Sequence, residues 1–201
     1  MDTTFLREIS LLVRSPKKGI DEIFWFGTLE KGIKAGLAGW CATHILGFAL
    51  GIVLLPLAMT FGGFLFGFIP AVYGIFSILR EVLGLGIYWF VGSFILWKLL
   101  SVLLEREFDF KQVLMGTAYV EGYTGALGLA LILVSIICIY ITPLLMILLV
   151  PLALAYVGAV IYVAVMLLSR IMKVEPITVG AVYIVLYIIN LLYNWIMRIL
   201  F

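Results

Sequence analysis

The sequence predicts an all-α fold: a polytopic transmembrane helix bundle of about five spans behind an N-terminal amphipathic segment at the membrane interface. Three observations lead there. Of the 201 residues, 65% are hydrophobic and only 12% charged, about half the charged share of a soluble domain, usually about 25%. Several uncharged runs reach the roughly 20 residues that a helix needs to cross a bilayer core. The lysines and arginines, finally, gather where one side of a membrane would collect them.

Residues 1–32 form a leader with five acids and five bases. Phe5, Leu6, Ile9, Leu12 and Val13 repeat at helical spacing, and Arg7, Glu8 and Arg14 fall on the other faces. Ser15 then reads as an N-cap, with Pro16 opening a second helix that runs to about Glu30. The two amphipathic helices are expected to lie on the membrane surface, where an apolar face sinks into the headgroup boundary; the alternative is a leader docked on the bundle. No short apolar core precedes a small-residue cleavage site, so the N-terminus does not read as a cleaved signal.

Residues 33–201 form the bundle, with spans at about 34–59, 82–104, 113–141, 144–169 and 177–197. The stretch from Gly122 to Ser169 holds 48 residues without a charge. At 1.5 Å per residue it is roughly 72 Å long, enough for two crossings joined by a turn at Thr142-Pro143. Residues 61–79 are uncharged but interrupted by Gly62, Gly63, Gly67, Pro70 and Gly74, which fits a re-entrant or interfacial segment. Basic residues decide the count. With five spans and a cytoplasmic N-terminus, eleven of the 13 lie inside and only Arg80 and Arg198 outside; a sixth crossing at 61–79 would leave eight against five.

Polar residues inside apolar runs are the candidate site. Glu121 lies about ten residues beyond Lys111, roughly 15 Å along a helix, and an acid at that depth marks a functional position by default. Thr117, Glu121, Thr124 and Gly128 share one helical face, and Tyr183, Tyr187, Asn190 and Asn194 form a matching stripe on the last span. His44 is the single histidine and a possible partner for Glu121. Two readings stand: a polar cavity or conduit lined by these groups, or interhelical hydrogen bonding that fixes packing without any ligand. Small residues mark helix contacts: Ala35, Gly39, Thr43, Gly47 and Gly51 at intervals of four, and Gly122, Ala126 and Ala130 on the third span. Whether each face meets the same chain or a second copy is open.

No catalytic motif is present. The sequence lacks H-E-x-x-H, G-x-S-x-G and a glycine-rich phosphate loop. One histidine without a second imidazole or thiolate gives no metal site, and no cofactor is expected. Cys41 and Cys138 sit in apolar runs and read as small buried hydrophobes. A net charge of +2 gives no grounds for nucleic-acid binding. The expected partners are the lipid bilayer and, through the small-residue faces, other membrane proteins or a second copy of the chain.

Several stretches together resemble the Yip-domain family of Ypt-interacting membrane proteins. They are the leader Leu11-Leu12-Val13-Arg14-Ser15-Pro16-Lys17-Lys18-Gly19-Ile20; Phe108-Asp109-Phe110-Lys111-Gln112 leading into Ala118-Tyr119 and Gly122-Tyr123; and Lys173-Val174-Glu175-Pro176 before Gly180-Ala181. The resemblance is diffuse and covers most of the chain. It implies a cytoplasmic leader, five spans and a non-enzymatic role in membrane organisation or trafficking, as a scaffold acting through protein contacts. The family's Asp-Leu-Tyr-Gly-Pro motif and third-span proline are missing, which removes grounds for GTPase binding and fits a prokaryotic member in the cell membrane. The competing functional reading is a small transporter or channel in which Glu121 binds a proton or cation.

Overall fold

The computed structural model describes residues 4–43, 86–87, 89–141, 149–186 and 188, and every structural statement below concerns these. All their regular structure is helical. Helix α1 is Thr4–Arg14 and α2 is Pro16–Phe26. Helix α3 covers 29–43 and α4 is Trp89–Leu103. They are followed by α5, Phe110–Ile141, α6, Leu149–Met172, and α7, Pro176–Leu186. Residues 61–79, the later part of the first expected span and the end of the last one lie outside the described residues.

Local chemistry sets the boundaries. Pro16 opens α2, where a missing N–H costs nothing, and Ser15 holds the N-cap position without a side-chain capping bond. The second helix stops at Phe26 rather than Glu30. Gly27 turns extended, and Thr28 starts α3 by accepting the Lys31 backbone N–H on its side-chain oxygen at 3.3 Å. The reading of one helix through Glu30 missed this threonine cap. Asp109 caps α5 in the same way, taking the Lys111 N–H at 2.9 Å, so that α5 begins three residues before the expected Val113. Helix α6 is described from Leu149 and continues to Met172, three residues past Ser169; the expected turn at Thr142-Pro143 and the expected span start near residue 144 lie outside the described residues.

Helices α5 and α6 make the most extensive contact; α1 lies on α5, α2 lies on α6, and α1 and α2 form a hairpin. Gly19 lets the hairpin close, because a Cβ there would fall 2.5 Å from the Leu12 backbone nitrogen. One core joins Ile9, Leu12, Ile20 and Ile23 of the hairpin to Tyr119, Val163, Leu167 and Ile171 of α5 and α6. A second joins Leu96 and Leu100 of α4 to Val113, Leu168, Met172, Val179 and Val182. Ile9 and Leu12 of α1 and Ile20 and Ile23 of α2 are thus covered by protein, while Leu6 and Val13 of the same apolar set stay exposed.

Two helices, Phe110–Val134 of α5 and Leu149–Met172, are long and apolar enough to cross a membrane. Only 33% and 28% of their most apolar windows are buried, so protein contact does not account for their hydrophobicity. Phe90, Phe94, Val150, Leu154, Ile184 and Val185 are likewise exposed on α4, α6 and α7, a larger apolar exterior than scattered surface residues would give.

Candidate functional site

The polar centre of the described bundle is Glu8, which the periodicity had placed on an outer face of α1. It is 3% exposed. Its carboxylate accepts the Tyr119 hydroxyl at 2.5 Å and the Lys31 ammonium at 3.2 Å. The Lys31 Nζ also donates to the Phe26 carbonyl at 3.0 Å, in the last turn of α2. One carboxylate thus ties α1, α3 and α5 together, and its cation holds the end of α2. The signal was present in the sequence. Phe5, Glu8, Ile9 and Leu12 occupy i, i+3, i+4 and i+7, so Glu8 belongs to the apolar face. Farther out, Arg7 bonds Glu22 at 3.1 Å across the hairpin, an exposed pair of small energetic weight.

Glu121 lies in a different setting. It is partly buried on α5, its Cβ close to Gly36 of α3, and the Tyr156 hydroxyl of α6 reaches the backbone about one turn away, at the Thr124 carbonyl. Among the described residues it has neither a hydrogen bond nor an ion pair. Thr117 and Thr124, expected on the same face, serve separate contacts. The Thr117 Oγ1 accepts the Trp89 Nε1–H at 3.0 Å and meets the Ser93 Oγ at 2.7 Å, linking α5 to α4. The Thr124 Oγ1 donates to the Val120 carbonyl, while its own carbonyl takes a long 3.5 Å contact from the Tyr156 hydroxyl. Tyr183 packs, partly buried, against both cores. His44, Tyr187, Asn190 and Asn194 lie outside the described residues, so the stripe on the last span is represented by Tyr183 alone.

The Thr117 junction carries a measurable prediction. Thr117→Val removes the acceptor of a partly buried indole N–H, and a hydrogen bond of this kind contributes about 0.5–1.5 kcal/mol. In a double-mutant cycle with Trp89→Phe, thermal unfolding in detergent is expected to show coupling of that size. Strict additivity would mean that the bond contributes nothing.

The small-residue faces of α3 and α5 meet each other. A Cβ on Gly39 would fall 2.8 Å from the Gly122 carbonyl oxygen, and one on Gly122 would fall 2.8 Å from the Ala35 carbonyl. Gly32 and Gly36 continue the contact along Met115 and Ala118. Gly47 and Gly51 lie outside the described residues. Cys41, expected to be a buried small hydrophobe, is instead a free, exposed thiol, because α3 turns its glycine face rather than this side chain toward α5. Among the described residues no three His, Cys, Asp or Glu side chains gather as a metal-ligand set.

Two open clefts lie around the leader. One, about 790 Å³, runs between α2, α6 and the start of α7. The other, about 410 Å³, places Phe24 and Trp25 of α2 opposite Arg106, Asp109 and Lys173. Neither cleft is lined by Glu121. Comparison with family models, with curated proteins and with solved structures finds no match.

Proposed function

We propose that this chain is a non-enzymatic, Yip-like integral membrane protein that crosses the bilayer five times, keeps its leader in the cytoplasm and acts as a scaffold through helix and surface contacts. The observation that carries this reading is the Glu8–Lys31–Tyr119 junction, which builds the leader into the helix bundle and fixes its outward surface. That surface presents the strongly exposed Trp25 and Phe26, with Arg106 across the cleft from Trp25, and aromatic residues and arginine are the types enriched in protein contact patches.

The arrangement of the turns supports the five crossings. The leader, the 104–109 turn and the 173–175 turn gather around one cleft and thus share an end of the bundle. An even number of crossings between leader and first turn agrees with that; a sixth span at 61–79 would separate them. The basic residues of these three segments then fall on one side, as orientation by positive charge requires.

The competing transport reading has one specific support: a partly buried carboxylate, Glu121, with no hydrogen bond or ion pair among the described residues. Capture from native membranes and reconstitution together separate the two. For a scaffold, Glu121→Gln leaves folding and the set of co-purifying proteins unchanged, whereas Trp25→Ala with Phe26→Ala removes partners; liposomes show no proton or cation flux. A flux that Glu121→Gln abolishes would replace the scaffold with a transporter.

A further inference from the structure

The 790 Å³ cleft between α2, α6 and α7 has the shape and charge of a site for one amphiphile. Lys17, Arg170 and Lys173 stand around its mouth, with Asp21 the one acid among them. Arg170 is already engaged, 3.4 Å from Asp21 and stacked over the Phe24 ring at 5.2 Å. Lys17 and Lys173 make no ion pair among the described residues, which leaves two uncompensated cations facing one opening. Below them the wall turns apolar. Met166 and Tyr162 lie one and two turns from Arg170 along α6, roughly 6 and 12 Å deeper. Since Arg170 is in the last turn of a helix long enough to cross a bilayer, the cationic mouth falls at headgroup level and the apolar wall at acyl-chain level.

Lys173 adds an independent sign. Its φ is 53°, the left-handed conformation that closes α6, with the Val174 N–H bonded to the Ser169 carbonyl at 3.0 Å. Glycine usually fills that position because a Cβ is strained there. A lysine stands there nonetheless, lining this cleft and the neighbouring 410 Å³ one.

We propose that this groove binds a single anionic phospholipid, its phosphodiester between Lys17 and Lys173 and one acyl chain along Met166 and Tyr162. Cationic pockets at the cytoplasmic ends of membrane helices recognise such headgroups by charge and hydrogen bonding. The proposal rests on the membrane reading above and adds a ligand to it.

The test uses the full-length chain in nanodiscs and in detergent. Phosphatidylglycerol retained by the protein is quantified by native mass spectrometry against phosphatidylcholine, for the wild type, for Lys17→Gln with Lys173→Gln, for Lys173→Gly and for Lys98→Gln as a control outside the groove. The expected result is a preference for phosphatidylglycerol that falls at least tenfold in the double variant, falls in Lys173→Gly without loss of thermal stability, and is unchanged in Lys98→Gln. Inorganic phosphate at millimolar concentration is not expected to displace the lipid. Equal retention by wild type and double variant, equal loss in the Lys98→Gln control, or displacement by phosphate alone would overturn the proposal. A protein that enters phosphatidylcholine nanodiscs but shows no lipid preference refutes the groove alone; one that enters neither kind of nanodisc refutes the membrane reading.

Discussion

Glu8→Ala is expected to release the leader hairpin from the bundle, with a loss of about 2–3 kcal/mol in its local stability. Removing one member of a buried ion pair commonly costs ~3–5 kcal/mol, because the other charge stays in place uncompensated. The expected loss falls below that range because the Lys31 side chain is 22% exposed, so its ammonium reaches water once the carboxylate is gone. Tyr119, which is fully buried, loses the carboxylate that accepts its hydroxyl. In native-state hydrogen exchange, backbone amides of α1 and α2 should exchange roughly 30–150-fold faster, the factor that corresponds to this free energy, while amides of α6 remain protected. Tyr119→Phe removes one charge-assisted hydrogen bond and keeps the ion pair, so a smaller effect of about 1.5 kcal/mol is expected.

A triple variant separates network from packing. Glu8→Met, Lys31→Met and Tyr119→Phe together replace the polar junction by apolar groups of similar volume. Such replacements are often neutral or stabilising, since desolvation of the charges is no longer required. Recovery of most of the lost protection would show that the charges position the leader more than they stabilise it. Unchanged exchange in Glu8→Ala would remove the junction from any account of how the leader is held, and with it the main support for the scaffold.

What the sequence reveals, and what it hides, follows from how each signal arises. Hydrophobic runs and caps depend on neighbours in the chain, so α5 could be placed within three residues and the Ser15-Pro16 helix start located. Glu8 shows the limit. Its partners are Lys31 and Tyr119, the latter 111 residues away, and pattern reading treats an acid at the edge of an apolar face as solvated unless such a partner is known. Thr117, Glu121 and Thr124 show another. Spacing puts them on one side of α5, but a helix with α3, α4 and α6 as neighbours distributes one face among all three. The small-residue faces could be read from intervals of four, whereas the choice between an internal and an external partner required the fold.

That internal contact gives the second large effect. Gly125→Val is expected to prevent α3 from closing on α5, because a Cβ at residue 125 would lie 2.4 Å from both the Cα and the carbonyl carbon of Gly39. The opposing atoms are backbone, so no rotamer change relieves the clash and one helix must move as a unit. Overpacking costs about 1–3 kcal/mol even where side chains can adjust, and this site should reach the top of that range. Gly125→Ala should already be destabilising, although alanine is intrinsically the better helix former by ~1 kcal/mol. Gly158→Ala on α6, where an added Cβ meets nothing within 4 Å, should be neutral or slightly stabilising. Because one displacement of α3 accommodates both changes, Gly39→Ala combined with Gly125→Ala should cost less than the sum of the single substitutions. Thermal unfolding in detergent measures these variants, with Gly39→Ala alone completing the cycle. Were these glycines instead the docking face for a second copy, Gly125→Val would lower the oligomeric state and leave the monomer as stable as before; the close approach of Gly39, Gly122 and Gly125 within one chain requires the opposite, a destabilised monomer at every protein concentration.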